Sequence, residues 1–171
     1  MRVGVGWDMH RLVPGRPLVL GGVTVPFPRG LEGHSDADAL CHALIDALLG
    51  AAAVGDIGRR FGVDDPARAG ASSLVLLGEA WGSLKAQGYR VLNVDATILA
   101  EVPLLMPHLP GMVANLAAVL EVGMDRVSVK VTTAKGMGWV GAGEGIACIA
   151  VAALAASAGR GEGVPDAPAL L

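Results

Sequence analysis

The sequence predicts an α+β fold, an α/β sandwich in which helices cover one face of a mixed β-sheet. Two observations lead to this prediction. Segments with the alternation of strands are interleaved with segments of helical periodicity, in the order strand, hairpin, helix, helix, strand, helix, strand. The chain has 171 residues, of which 53% are hydrophobic, enough for one apolar core. One domain is therefore expected over residues 1–157, followed by a flexible C-terminal tail over residues 158–171.

The first elements are expected to be β-strands. Residues 2–8 have a strand pattern, and residues 18–25 alternate on both sides of Gly21 and Gly22, a pair typical of a tight hairpin turn. Residues 55–70 concentrate charge, glycine and proline without periodicity, which predicts a loop with a functional role.

A long helix is predicted between the hairpin and this loop. Its apolar residues recur at helical spacing as far as Leu49, and Gly50 is expected to stop it. Ser35 is expected to cap the N-terminus of this helix, because an acidic residue, Asp38, follows three positions later.

Helices and strands alternate in the C-terminal half. Helices are predicted over residues 73–87 and 110–122, and strands over residues 90–100 and 127–131. Residues 145–156 are so rich in alanine that intrinsic propensity favours a helix, whereas their apolar alternation fits a buried strand. The sequence alone leaves these two structures open.

Composition argues against several classes of protein. The net charge of −3, without any cluster of Lys or Arg, gives no electrostatic footprint for nucleic acid. No apolar run reaches the roughly 18 residues that a membrane helix needs. The N-terminal sequence has no secretory-signal pattern, so the cytoplasm is the expected location.

Cys41 and Cys148 form no CxxC and are expected to be small buried hydrophobes. The low charged fraction, 17%, suggests that copies of the chain cover part of its surface.

Residue types that bind divalent metals are concentrated in the first 46 residues. Asp8 and His10 lie two apart at the end of a predicted strand, so both side chains point to one face. His42 shares a helical stripe with Asp38 and Asp46, either of which could accept its free ring N–H. One carboxylate and two imidazoles suit Zn²⁺ with an open fourth position. Taken alone, however, an Asp-x-His pair is a common and weak motif.

A phosphate site is predicted at His34 and Ser35. Both lie at an expected helix N-terminus, where free N–H groups and the helix dipole favour an anion. Ser35 fits a purely structural role as an N-cap equally well. His108, between two prolines, is expected to be structural or exposed.

Together these residues resemble the 2-C-methyl-D-erythritol 2,4-cyclodiphosphate synthase family, from Arg2 to about Leu154. The matching segments are Gly6-Trp7-Asp8-Met9-His10, His34-Ser35-Asp36-Ala37-Asp38, His42-Ala43-Leu44-Ile45-Asp46-Ala47-Leu48-Leu49-Gly50, Gly55-Asp56-Ile57-Gly58, Pro107-His108, Lys130-Val131-Thr132-Thr133 and Gly143-Glu144-Gly145-Ile146-Ala147.

The resemblance implies a homotrimer with its sheets around the three-fold axis and active sites between subunits. It also implies conversion of 4-diphosphocytidyl-2-C-methyl-D-erythritol 2-phosphate to the cyclic diphosphate plus CMP, in non-mevalonate isoprenoid synthesis. The implied partners are this small-molecule substrate and other copies of the chain, without nucleic acid or membrane. The implied cofactors are Zn²⁺, or another divalent transition metal, on Asp8, His10 and His42, and Mg²⁺ or Mn²⁺ with the substrate phosphates.

Further roles follow from the same resemblance. His34 and Thr133 would act on the phosphates as catalytic residues. Substrate contacts would come from Ser35, Asp56, Ile57, Gly58, Phe61, Asp65, Ala100, Leu105, Met106, Val131, Thr132 and Lys135. The chain departs from the family pattern in having Leu104 and Lys135 where many members carry lysine and glutamate, and Ala142 where arginine is frequent.

Two other functions use the same residues. A zinc-dependent phosphatase or phosphodiesterase would employ the Asp-His-His site with bound water as the nucleophile. A non-catalytic zinc-binding trimeric module would use the metal only to hold its fold.

Overall fold

Seven strands and five helices make up the computed structural model, which describes residues 1–62 and 68–156. The strands are β1 (Arg2–Pro14), β2 (Leu18–Leu20), β3 (Val23–Val25), β4 (Arg29–Leu31), β5 (Tyr89–Leu99), β6 (Val127–Thr132) and β7 (Gly145–Ala156). The helices are α1 (Ala39–Ala52), α2 (Ile57–Phe61), α3 (Ser73–Ala86), α4 (Leu109–Leu120) and α5 (Gly138–Gly141). The predicted tail and Asp65 lie outside the described residues.

Five of these strands form one mixed sheet in the order β4-β1-β7-β5-β6. Strand β7 pairs antiparallel with both β1 and β5, whereas β5 and β6 run parallel. Helix α1 packs on β1 and β7, and α3 and α4 extend the same helical layer. The predicted fold class is thereby confirmed. In the described part of the chain no helix is long and apolar enough to cross a membrane.

The alanine-rich segment, for which the sequence left helix and strand open, forms the strand β7. Every second residue is fully buried, namely Ile146, Cys148, Ala150, Ala152 and Leu154. Ala150 and Ala152 pair with Gly6 and Gly4 of β1, on the face that meets α1. Alanine is abundant here because the helix lies close to the sheet, and this packing overrides the helical propensity of the segment.

The predicted limits of the first helix were wrong at both ends. Ala37 has a positive φ of 56°, so helical backbone begins only after it. Asp38 is the N-cap in place of Ser35, and its carboxylate accepts the N–H groups of Leu40 and Cys41. At the other end the helix passes through Gly50 and closes at Ala53, which adopts the left-handed conformation.

Other segments follow the sequence prediction more closely. The hairpin and the elements predicted at 73–87, 90–100, 110–122 and 127–131 are confirmed within about two residues at each end. The first strand continues beyond residue 8 to Pro14, and the loop predicted at 55–70 contains the short helix α2. Strand β4 and helix α5 were not predicted. Cys41 and Cys148 are free and buried, as expected, and burial raises the pKa of both thiols.

The face of β1 that points away from α1 is apolar and uncovered. Val3, Val5, Trp7 and Met9 alternate along it with exposed fractions between 46% and 67%. Val151, the partner of Val5 on β7, extends the same surface. An apolar sheet face of this kind is typical of a surface that another protein chain covers.

Candidate metal centre

Three side chains converge where the end of β1 meets α1. Asp8 Oδ2 lies 2.8 Å from His10 Nε2 and 3.0 Å from His42 Nδ1, and the two ring nitrogens are 3.3 Å apart. Zinc at about 2.0 Å from each ligand of a tetrahedral site separates the ligand atoms by about 3.3 Å. The triangle therefore has about the size and the donor set of one face of a tetrahedral zinc site, and the predicted convergence of these three side chains is confirmed.

Glycine in β1 allows His42 to reach the strand. A Cβ on Gly4 would lie 2.1 Å from the carbonyl oxygen of Ala47, and a Cβ on Gly6 only 1.8 Å from that of Ala43. The helix backbone thus rests directly on the strand backbone, which no larger residue would permit. Asp8 and the two glycines lie on the same strand face, so the carboxylate points towards α1.

The ring of His10 is oriented so that Nε2, the nitrogen that would bind a metal, faces Asp8 and His42. Its Nδ1 lies 2.7 Å from the carbonyl oxygen of Glu32, which can only accept a hydrogen bond. Nδ1 therefore carries a proton, and in the neutral ring the lone pair of Nε2 faces Asp8 and His42. A carbonyl acceptor behind a ligating imidazole is a common arrangement at metal sites.

The neighbours of His42 differ from those predicted. Its Nε2 lies 2.9 Å from Ser73 Oγ and 3.2 Å from Ser35 Oγ, so the expectation that Asp38 or Asp46 holds this ring was wrong. Asp38 instead caps α1 and accepts the N–H of Gly22. Asp46 accepts the N–H of Ile57 at 2.7 Å.

The charges at the centre favour a cation. Burial alone would raise the pKa of the Asp8 carboxyl. In the metal-free protein, the hydrogen bonds and positive charge that His10 and His42 supply when their rings are protonated outweigh burial and hold this pKa well below its ordinary value. Burial is the largest single influence on His10 and acts to lower its pKa. The hydrogen bond to Asp8, the charge of Asp8 and the hydrogen bond to the Glu32 carbonyl together outweigh burial and raise this pKa. A bound metal ion would take the place of the proton shared by these residues.

A cavity of about 230 Å³ opens beside the three ligands. Of the described residues, the predicted catalytic residue His34 and the predicted substrate contacts Ser35, Ile57, Gly58 and Phe61 line it. Asp56 does not line it but caps α2 by accepting the N–H of Arg59. Because α1 begins only at Ala39, His34 and Ser35 border the cavity from the preceding loop, and the predicted helix N-terminus at these residues was wrong.

The sequence analysis did not identify one positively charged side chain that lines this cavity. Arg68 lines it, pairs with Glu79 at 3.2 Å and stacks over the ring of Phe61 at 4.7 Å. Its position within the charged loop at 55–70 was the signal that could have indicated it. Asp46 also lines the cavity, and burial raises the pKa of its carboxyl.

The remaining predicted residues surround a second cavity, of about 290 Å³. Its lining includes Ala100, Leu105, Met106, Val131, Thr132, Thr133 and Lys135, and also Leu104. Among the residues that the structure describes, none lines both cavities. Cross-strand pairing places Met9, Ala147, Leu99 and Thr132 in one row over four strands. The cavities thus lie at the same end of the sheet, one beside β1 and the other beside β5 and β6, and three strand spacings, about 14 Å, separate β1 from β6.

Fold and site together define an α+β protein in which a triangle of side chains that could hold a metal ion borders a pocket lined by both charged and apolar residues. The YgbB family matches residues 1–155, and the chain belongs to this family.

Relatives and solved structures extend this assignment. A protein of Laribacter hongkongensis (strain HLHK9) named 2-C-methyl-D-erythritol 2,4-cyclodiphosphate synthase is 56% identical over 154 residues, which cover 90% of this chain and 95% of that protein. A solved structure of a 2C-methyl-D-erythritol-2,4-cyclodiphosphate synthase in a CDP-bound form has a TM-score of 0.82 and 38% identity, covering 90% of this chain and 100% of that one. The bifunctional IspDF of Campylobacter jejuni has a TM-score of 0.85 and 36% identity over 90% of this chain, which spans 42% of that longer protein.

Proposed function

We propose that this enzyme forms 2-C-methyl-D-erythritol 2,4-cyclodiphosphate from 4-diphosphocytidyl-2-C-methyl-D-erythritol 2-phosphate. An oxygen of the 2-phosphate attacks the β-phosphorus and forms the new P–O bond of an eight-membered ring. The bond from the β-phosphorus to the bridging oxygen breaks, and CMP leaves with that oxygen. The reaction makes the enzyme a phosphorus–oxygen lyase of the non-mevalonate isoprenoid pathway, and the cytoplasm is its proposed location.

One observation carries this proposal. The Asp8, His10 and His42 triangle borders a cavity of about 230 Å³ in a chain 56% identical to a relative with this name. These three residues would hold Zn²⁺ or another divalent transition metal, which when bound polarises a phosphate oxygen as a Lewis acid. Mg²⁺ or Mn²⁺ is expected to accompany the substrate phosphates and to offset their charge.

The residues of the first cavity would position the phosphates and the methylerythritol. His34 and Ser35 offer hydrogen-bond donors beside the metal ligands, and Arg68 adds a positive charge on the cavity wall. Ile57, Gly58 and Phe61 form an adjacent wall for the carbon skeleton. Holding the two reacting phosphates in line is the main catalytic requirement of phosphoryl transfer.

The residues of the second cavity would bind the cytidine part. Thr132, Thr133 and Lys135 offer donors for phosphate, while Ala100 and Leu105 provide an apolar floor. Thr133 is the proposed catalytic contact on this side.

A homotrimer would bring these two half-sites together. Within one chain the cavities lie beside different strands of the sheet, and no described residue lines both. The uncovered apolar face of β1 supports packing of the sheets around a three-fold axis. In such an assembly the metal centre of one chain can face the second cavity of its neighbour.

The reaction is tested by incubating the purified protein with the cytidine-activated substrate and Mg²⁺ or Mn²⁺, followed by phosphorus NMR. We expect the cyclic diphosphate and CMP in equal amounts. A linear phosphate product would overturn the proposal in favour of a zinc phosphatase or phosphodiesterase. Absence of turnover, with unfolding on chelation, would identify a structural zinc module instead.

A further inference from the structure

We propose that Asp36 and Ser73 form a positioning pair that fixes the ring tautomer of His42 and thereby sets the affinity of the centre for its metal. This inference rests on the proposed metal centre. It concerns two residues outside the ligand set, one in the loop before α1 and the other at the start of α3.

The pair is built from three contacts. Ser73 is fully buried, and its Oγ lies 2.9 Å from His42 Nε2. The same hydroxyl donates a short hydrogen bond to Asp36 Oδ1, and the backbone N–H of Ser73 donates to Asp36 Oδ2 at 3.0 Å. Ser73 thus donates to both carboxylate oxygens of Asp36, and Oδ1 also accepts the N–H of Asp38 at 3.3 Å, so the Ser73 hydroxyl has little freedom to rotate.

These contacts determine where the protons lie. An ionised carboxylate only accepts hydrogen bonds, so the single hydroxyl hydrogen of Ser73 points to Asp36. The lone pairs of Ser73 Oγ remain, and His42 Nε2 must donate its N–H to them. Nδ1 of His42 is then left unprotonated, and it is the atom that faces Asp8 and His10.

Without Asp36 the Ser73 hydroxyl could donate a hydrogen bond to His42 Nε2 instead of accepting one from it. A serine free to rotate can donate to Nε2, which would place the ring proton on Nδ1, where the metal must bind. Ser35 does not impose the required tautomer, because its Oγ also lies 3.2 Å from Nε2 and its hydrogen is not committed to a carboxylate. The orientation of His42 as a ligand therefore depends on Ser73 and, through it, on Asp36.

The test measures metal affinity apart from catalysis. Metal-free protein is titrated with Zn²⁺ against a chelating dye, and with Co²⁺ by its visible absorption. We expect Ser73→Ala to weaken affinity between about 10-fold and 100-fold, the usual effect of removing a group that orients a ligating histidine. We expect Ser73→Thr, which keeps the hydroxyl, to recover most of this loss.

Ser72→Ala is the matched control. Ser72 is exposed, adjacent in sequence and makes no side-chain cap hydrogen bond to α3, so its removal should leave metal affinity unchanged. Thermal unfolding of each metal-free variant shows how much any effect reflects the fold alone. A Ser73→Ala variant that is less stable but binds metal as the unaltered protein does would overturn the positioning role.

A double variant tests the order of action. Because Asp36 acts through Ser73, Asp36→Asn combined with Ser73→Ala should lose no more metal affinity than Ser73→Ala alone. Losses that add would show two independent effects and overturn the pair. If the unaltered protein binds neither Zn²⁺ nor Co²⁺, the metal centre itself is refuted and the pair with it. Binding that Ser73→Ala leaves intact refutes only the pair.

Discussion

At the scale of single residues, the three ligands of the proposed metal centre come from two elements and are oriented in three different ways. Asp8 comes from β1 and is oriented by strand alternation, whereas His10 is fixed by the carbonyl oxygen of Glu32. His42 reaches the same point from α1. A single ion can bind all three only if each side chain keeps its orientation, so loss of any one leaves an incomplete site.

Removal of a ligand should therefore abolish cyclisation. We expect Asp8→Ala or His42→Ala to lower kcat/KM by at least about two orders of magnitude, the effect of losing a positioned electrostatic group. His108→Ala is a suitable control, because His108 lines neither of the two cavities that hold the predicted residues. Near-normal release of CMP by either ligand variant would contradict the metal assignment.

The raised pKa of His10 predicts how metal affinity changes with pH. Burial acts to lower this pKa, and the hydrogen bond and charge of Asp8 together with the bond to the Glu32 carbonyl outweigh it. The metal-free His10 therefore keeps its proton to a higher pH than an ordinary histidine, whose pKa is near 6.5. Metal binds only the deprotonated Nε2. Affinity should hence be constant at high pH and fall up to about tenfold per unit as the pH drops through the raised value.

This pH dependence is measured by Zn²⁺ competition titrations on metal-free protein over a series of buffers. Asp8→Asn removes the negative charge, and the onset of the decline should then move to lower pH. An onset below about 6.5 in the unaltered protein would be inconsistent with the Asp8–His10 pair.

At the scale of elements, the contact between α1 and β1 determines whether the centre exists. Gly6→Ala would place a Cβ within 1.8 Å of the Ala43 carbonyl oxygen, and neither backbone can yield without moving the helix. We expect a loss of about 3 kcal/mol or more in the free energy of unfolding, measured with denaturant. Zinc affinity should fall as well, because His42 moves with α1.

Gly82→Ala provides the comparison. This glycine lies in α3, with no atom within 4 Å of the added Cβ, so the change should raise the free energy of unfolding by up to about 1 kcal/mol. Zinc affinity should not change. Equal stability of the Gly6→Ala and Gly82→Ala variants would disprove the close contact.

At the scale of the whole molecule, the uncovered face of β1 predicts the oligomeric state. Val5 is 67% exposed at the centre of this surface. We expect Val5→Asp to convert a trimer to monomers, measured by light scattering, because the carboxylate would be buried without a partner. Val75→Asp, at an exposed site on α3, should leave a trimer. A monomer for the unaltered chain would refute the assembly.

Shared active sites make a further prediction, on mixtures of inactive variants. His42→Ala damages the first cavity and Thr133→Ala the second, so trimers reassembled from equal amounts should contain intact sites between unlike chains. With random mixing about a quarter of the sites are intact, and a similar fraction of CMP release should return. Asp8→Ala mixed with His42→Ala should restore nothing. Failure of both mixtures would place each complete site within one chain.

Much of the fold and the ligand set could be predicted from local sequence. The helix over 73–87, the strand over 90–100 and the hairpin around Gly21 and Gly22 depend on periodicity and turn chemistry, which are properties of neighbouring residues. Asp8 and His10 were placed on one face by strand alternation alone. His42 was predicted as a ligand from its residue type and its position on a helix. It can meet Asp8 and His10 once that helix packs beside the strand.

Other features were decided by contacts between distant parts of the chain. The alanine-rich β7 is a strand because it pairs on both sides and lies under α1, against its own propensity. Asp36 and Ser73 are 37 residues apart, and no periodicity relates them or links them to His42. The local sequence determined which potential metal ligands are present and on which face of a strand or helix they lie. Only the packing of α1 and α3 against the sheet decided which side chains orient these ligands, because hydrogen bonds between segments distant in sequence leave no local sequence pattern.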